Sequence, residues 1–334
     1  MAVVKANGYG HGAIPAAKAA LAGGATWLGV SSVQEGVELR RSGITTPILN
    51  LGYTPAVALS AAVAAGLSLT LYDRDSLGRF KAAATAIGVH VKVNTGMNRL
   101  GASPPDAVAL ATEVHHDPRL RLEGFWTHFS SADEDPDVTS AQLTRYLEAR
   151  RELHAAGVSG FLSHAANSAG LLRFPEARLD LVRGGLILYG VRPVSEWKDL
   201  PGLRPALTWQ TIVTHLQDID AGAAVGYGRR FVAARPSRIA TIAVGYADGL
   251  QRQSSVRGRA LVRGHSVPLA GTISMDQAAL DVSALPDVQV GDVVTLIGSD
   301  GGSTVTADDL ARAAGTISYE VLCAISGRVL RRYS

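Results

Sequence analysis

An alternation constrains this chain more than any other feature. Over the first 190 residues, eight short apolar runs lie at 2–5, 27–32, 47–52, 67–73, 90–94, 122–129, 161–166 and 179–185. Ala- and Leu-rich stretches such as AIPAAKAALAG and TSAQLTRYLEARRELHAAG separate them. A strand followed by a helix, repeated eight times, predicts a closed (β/α)8 TIM-like barrel in an α/β chain. The competing architecture is an open doubly wound sheet, but no GxGxxG follows the first run.

The texture changes after Tyr189. The stretch VRPVSEWKDLPGLRP, residues 191–205, is Pro-rich and reads as a linker. Beyond it LTWQTIVTHLQDI, RIATIAVGY, RALVRGHSVPLAG, DQAALDVS and DVVTLIGS are β-rich, with Gly, Asp and Pro at their turns. One helical stretch, TADDLARAAG, has Thr306 as its predicted N-cap. The expectation is two domains, a barrel over 1–195 and a mostly-β domain over 200–334.

Composition narrows the classes. At 47% hydrophobic and 18% charged, the chain buries too much to be disordered. Its single cysteine excludes an internal disulfide framework and a Cys-based zinc site, and His115–His116 has no spaced partners for a metal. A net charge of +3 without a Lys/Arg run leaves no nucleic-acid footprint. Residues 42–72 carry no charge, but Pro47, Asn50, Gly52, Pro55 and Gly66 break them, so they do not read as a membrane span. The N-terminus lacks the pattern of a signal peptide, and the expected location is cytoplasmic.

In such barrels active residues sit at the C-terminal ends of strands. Here those ends carry Lys5, Lys92, Asn94, His128, His164 and Arg183. Lys5 meets the Gly-rich loop ANGYGHG, where a desolvated amine suits a Schiff base; position alone also allows a rim lysine reaching solvent. Tyr9 in the same loop is a weak phosphate donor candidate. Ser168 opens a short helical stretch, where a serine caps the helix and forms an anion site. The Gly184–Gly185 pair lets backbone amides approach a phosphate. Phosphate groups at the last two strands of a barrel, with a Schiff-base lysine, point to pyridoxal 5'-phosphate. Arg183 refines this. Most enzymes of that cofactor place a carboxylate at the ring nitrogen, and an arginine cannot accept its proton. A neutral ring suits an α-proton that leaves and returns quickly. Taken alone, Arg183 is equally a structural ion pair.

AVVKANGYGHG, VKVNTGMNRLG, EGFWTHFSSAD, HAANSAG, VRGGLILYG, VGYADG, GTISMDQ and ISYEV stand in this order along the chain. In order and spacing they resemble the bacterial alanine racemases. The resemblance implies a homodimer with shared active sites that interconverts L- and D-alanine, with no metal, and supplies D-alanine for peptidoglycan. It implies Lys5 as the cofactor lysine and one base, with Tyr246 of the partner subunit as the opposing base. His164 would link Arg183 to that tyrosine. Tyr9, Ser168, Gly185, Leu186 and Tyr319 would hold the phosphate, and His128 would lie against the ring. Arg99 would meet the substrate carboxylate, with Lys92 behind it, often carbamylated in the family. Met275 would offer its backbone amide across the dimer. Without the resemblance, Tyr246 and Tyr319 read as packing aromatics, and Cys323 as a buried small hydrophobe.

Two departures accompany the resemblance. The family carries a longer segment before the cofactor lysine, supplying a strand and a helix, whereas here four residues precede Lys5. A missing edge partner would leave strand groups unpaired. Ser274 stands before Met275, where relatives often have cysteine. Two other readings stay open: an amino-acid decarboxylase of the same barrel type, and a PLP-binding protein without catalysis. The decarboxylases use a cysteine in an Asp-rich segment, and Cys323 lies elsewhere. Serine is a weak competitor for alanine, because an apolar pocket rejects one hydroxyl poorly.

Overall fold

The computed structural model describes residues 1–83, 86–194, 196–197 and 202–333. Of the Pro-rich stretch 191–205, positions 195 and 198–201 lie outside the described residues. The chain divides into two units. The first comprises Met1–Gly8, Gly12–Leu188 and Arg192–Glu196, and the second comprises Tyr9–His11, Tyr189–Val191 and Trp197–Ser334.

The first unit is built on a parallel sheet in chain order. Its strands are β1 (Ala2–Val3), β2 (Leu28–Val30), β3 (Ile48–Asn50), β4 (Ser68–Leu71), β5 (Ile87–Lys92), β6 (Leu120–Trp126) and β7 (Leu162–His164). β2 to β5 are buried throughout, as befits parallel strands covered on both faces. The helices between them start where the sequence offers caps. Ser32 and Glu35 form a capping box on Val33–Arg41, Asp73 caps Arg74–Ala82, and Asp135 with Pro136 opens Pro136–Ala155.

The eighth run, 179–185, departs from expectation. It forms no strand, but a single parallel bridge from Gly184 to Ala2 closes the ring. Val3 N donates to Gly184 O at 2.8 Å and Gly184 N to Met1 O at 3.1 Å. The cause is local. The Asp180 carboxylate takes the Ser163 N–H at 2.8 Å, so a side chain replaces a ladder bond to β7.

The second unit carries an antiparallel sheet in the order β13-β12-β15-β8-β11-β14, with β16 on β15. These are β8 (Trp209–Ile219), β11 (Ser237–Ile242), β12 (Arg259–Val262), β13 (His265–Pro268), β14 (Ala278–Asp281), β15 (Val293–Asp300) and β16 (Ser303–Val305). A small hairpin pairs β9 (Ala224–Val225) with β10 (Phe231–Val232). The predicted cap holds: Thr306 and Asp309 form a capping box on Ala307–Ala314, and Gly315 ends that helix in the left-handed region. Cys323 is exposed, contrary to its reading as a core residue. The helix Ser318–Ala324 buries Ser318, Val321 and Leu322, a face that position 323 misses. No described helix is long and apolar enough to cross a membrane.

Candidate active site

The loop after β1 is the most strained backbone among the described residues. Ala6, Asn7, Gly8 and Tyr9 all have φ between 52° and 61°, a left-handed turn in which three of the four residues are not glycine. Such conformations cost about 1–3 kcal/mol each and persist only where surrounding bonds over-determine them. Glu35 supplies one such bond, accepting Ala6 N–H at 2.7 Å. The Asn7 side chain supplies another, accepting Ala13 N–H at 2.9 Å. The turn fixes the point where Lys5, half-buried, leaves the strand.

Lys5 shares its surroundings with other cations. Lys92 ends β5, is 4% exposed, and lies 4.6 Å from the Trp126 ring centroid. Burial, reinforced by Arg183, Arg99 and Lys5, lowers its pKa to about 7. Arg99 is exposed on a loop ordered by Asn94, whose side-chain oxygen accepts Gly96 N–H and Asn98 N–H.

Arg183 is the best-anchored of these cations. It is 3% exposed. Nη2 donates to Thr127 O and Ala165 O, both at 2.7 Å, and meets His128 Nδ1 at 3.2 Å. Nη1 meets His164 Nδ1 at 2.9 Å. Every one of these partners is neutral, and burial lowers the pKa of Arg183 to about 9. Its Nε makes no hydrogen bond among the described residues. An ion pair, the bland reading of Arg183, is therefore absent from its hydrogen-bond set.

One expectation is corrected here. His164 cannot link Arg183 to Tyr246. It is fully buried, Nδ1 faces Arg183, and Nε2 lies 3.0 Å from His90 Nδ1, so both nitrogens are engaged inside the first unit. For the same reason it has no polar atom left for a cofactor. His128 is the histidine on Arg183 whose second nitrogen has no partner among the described residues, and it is half-buried. Burial, then Arg183 and Lys92, holds His128 well below the usual histidine range, so its ring is neutral.

The predicted phosphate groups of the first unit come together. Ser168 Oγ accepts Gly185 N–H at 3.0 Å, which leaves the hydroxyl proton free to donate. Leu186 opens the short 3-10 turn Leu186–Tyr189, and its N–H takes no partner among the described residues. The cap of the helix Ser168–Arg173 is Asn167, which accepts Gly170 N–H at 2.9 Å, and not Ser168. The asparagine releases the serine hydroxyl from capping.

In the second unit, Tyr9 packs beside Tyr319, with ring centroids 6.1 Å apart, and beside Tyr189 at 5.1 Å. Burial first, then Tyr319, raises the Tyr9 pKa, so the phenol stays a donor. Tyr246 and Met275 are also neighbours and both exposed, at 42% and 53%. Tyr246 N donates to Ser274 O and Ala247 N to Met275 O, each at 3.0 Å. Gly245 permits this: a Cβ there would stand 2.2 Å from Met275 O. Arg328 pins both loops through Asp248 and Asp276. The Met275 N–H is unclaimed among the described residues.

Comparison with known proteins gives the family. Residues 1–193 match the family described as "Alanine racemase, N-terminal domain", and 206–333 match "Alanine racemase, C-terminal domain". The chain belongs to the alanine racemase family. An alanine racemase of Symbiobacterium thermophilum is 46% identical over 338 residues, covering 100% of this chain and 90% of the relative. One of Desulfosudis oleivorans is 45% identical, covering 100% and 89%. Among solved structures, alanine racemase from D-cycloserine-producing Streptomyces lavendulae superposes with a TM-score of 0.94 at 35% identity, covering 100% of this chain and 90% of that one. That of Clostridium difficile 630 gives 0.93 at 37%, covering 99% and 87%. The enzyme class of an alanine racemase is isomerase, and the decarboxylase reading gives way to it.

Sequence reasoning missed His90, Glu123, Trp126, Thr127 and Asn167. The period of two in β5 carries a signal for His90, because it shares a face with Lys92. Thr127 contributes a backbone carbonyl to Arg183, which no side-chain pattern announces.

Proposed function

We propose that the protein interconverts L- and D-alanine with pyridoxal 5'-phosphate, as a cytoplasmic homodimer supplying D-alanine for peptidoglycan. The cofactor-bearing domain is 1–195 and the second domain 200–334. The observation that carries the proposal is Arg183: a buried cation with only neutral partners and an unclaimed Nε–H. A ring nitrogen that keeps its lone pair fits that donor, and a protonated one does not. The Ser168 hydroxyl and the Leu186 N–H fit phosphate oxygens on the same side of the argument, as unclaimed donors.

When bound, the cofactor supplies an electron sink for the pair left at the substrate α-carbon. The chain's own groups do the rest. Lys5 holds the cofactor through its amine and moves the α-proton on one face. Tyr246 of the partner subunit moves it on the other, so the planar carbon need not turn over. Tyr9, Ser168, Gly185, Leu186 and Tyr319 hold the phosphate. His128 stands on Arg183 with its second nitrogen free, and takes the outward link first assigned to His164. Arg99 and the Met275 N–H of the partner subunit receive the substrate carboxylate. Lys92, with a pKa near working pH, has enough neutral amine to take up carbon dioxide. The carbamate's charge would then answer Lys5, Arg99 and Arg183.

Proton NMR of the PLP-supplemented protein with L-alanine in heavy water tests this. Loss of the α-proton signal together with D-alanine in the product is the expected result. A persistent α-proton signal contradicts it.

A further inference from the structure

Behind Arg183 lies a line of buried polar groups that the proposed reaction does not use. His164 Nε2 is 3.0 Å from His90 Nδ1, and His90 Nε2 faces Glu123 Oε2 at 3.9 Å. Glu123 in turn accepts from Ser68 Oγ at 2.5 Å and Arg121 Nε at 2.8 Å. His90 and His164 are both fully buried.

The backbone is shaped to hold this line. Between Val89 and His90 the pairing of β5 with β6 slips from Leu122 to Gly124, so Glu123 is the extra residue of a bulge. A bulge re-aims its side chain. Gly124 leaves the room His90 occupies: a Cβ there would stand 2.0 Å from His90 Nδ1. Gly88 does the same for the carboxylate, where a Cβ would stand 2.2 Å from Glu123 Oε2 and block its path over β5 to Ser68 on β4.

Donor chemistry gives the line a direction. A guanidinium only donates. His164 Nδ1, facing Arg183, must carry a lone pair, so its proton is on Nε2. That N–H donates to His90 Nδ1, which puts the His90 proton on Nε2, facing the carboxylate. The separation of 3.9 Å there is too long for a hydrogen bond, and His90 Nε2 has no such partner among the described residues. The carboxylate acts on the neutral ring as a charge beside an N–H dipole, favouring the proton on Nε2.

We infer that His90 and Glu123 are positioning residues: they lock His164 in one tautomer and so fix the aim of the Arg183 guanidinium. Resting on the reading of Arg183 as the group that faces the cofactor ring, this adds two residues behind it. A bulge and two glycines that a plain apolar interior would not need are accounted for by it.

The first arm of the test is free of cofactor. Long-range ¹H–¹⁵N spectra of histidine-labelled protein at pH 7, assigned with His90→Asn and His164→Asn, read the two rings among the nine histidines. Both are expected neutral with the proton on Nε2. An Nδ1–H tautomer or a doubly protonated ring at either position overturns the relay. The second arm is kinetic. His90→Leu removes the acceptor and should lower kcat about tenfold or more, with KM for alanine changed less than about twofold. His90→Asn keeps an acceptor at the Nδ1 position and should retain kcat within about threefold of the unsubstituted enzyme. Equal losses in the two variants, or a loss confined to KM, overturn the positioning role. If His90→Leu does not fold, the spectra of Glu123→Gln decide: a mixed His90 tautomer supports the relay, and an unchanged His90 signal overturns it. Unsubstituted protein that fails to interconvert alanine overturns the proposed function and leaves the relay to the tautomers.

Discussion

In the first unit the chemical groups are shut inside. Lys92, His128, His164 and Arg183 are pressed against Trp126, the two histidines and backbone carbonyls, and burial has already moved their ionisation away from that of the free side chains. In the second unit the groups of interest stand outside. Tyr246 and Met275 sit on loops locked by backbone bonds and by Arg328, with their side chains open to whatever covers them. The contrast separates two ways of preparing a site. A packed interior sets the charge of a residue within its own chain. A rigid surface loop sets only its position.

Substitutions should respond accordingly. Lys5→Ala removes the only proposed anchor and one base, and turnover should fall on the order of 10⁴-fold or more; retained cofactor absorbance after dialysis would show that the anchor lies elsewhere. Tyr246→Phe should cost about 10²–10⁴ in α-proton exchange, more from one enantiomer than the other. Its unfolding free energy should stay within about 0.5 kcal/mol, as expected of an exposed side chain. Equal losses from both enantiomers would count against separate faces. Arg183→Leu should cost about 10²–10³ in kcat. Unlike the tyrosine, it should also cost roughly 3–5 kcal/mol in urea unfolding, because Thr127 O, Ala165 O and His164 Nδ1 lose their donor in the interior.

Lys92 gives the finest comparison. Its pKa is lowered from 10.5 to about 7 on folding. Between those values the unfolded chain binds the extra proton, so stability from this group rises with pH from about 7 toward 10.5 and is flat below. With carbon dioxide excluded, so that Lys92 carries its free amine and not the proposed carbamate, Lys92→Met should remove that rise, reducing the gain between pH 7 and 9.5 by about 3 kcal/mol. Parallel unfolding curves for the two proteins across that range would contradict the assignment.

The barrel was legible because short apolar runs alternate with Ala- and Leu-rich helical stretches, and the candidate site because polar residues end those runs: Lys5, Lys92, His164 and Arg183 are visible as interruptions. Other features were not legible, for physical reasons. The eighth run is apolar enough to read as a strand, yet the Asp180 side chain takes the place of a ladder bond. His90 and Glu123 meet only because the ladder slips at one residue, and register is not written in a single strand. His164 was visible as a site residue, but its role turned on which nitrogen faces which neighbour. Asn167 took the cap expected of Ser168 because both residues are capping types and adjacent. In the second unit, spacing alone could not lift Tyr246 above a packing aromatic, and only the resemblance singled out Met275.

The central claim is that each site joins Lys5 of one protomer to Tyr246 of the partner subunit. Co-expression of Lys5→Ala and Tyr246→Phe chains in equal amounts tests it most directly. Half of the randomly formed dimers then pair unlike chains, and each of these holds one intact site, so activity should recover to about a quarter of that of the unsubstituted enzyme. Activity no greater than that of either parent variant would contradict the claim.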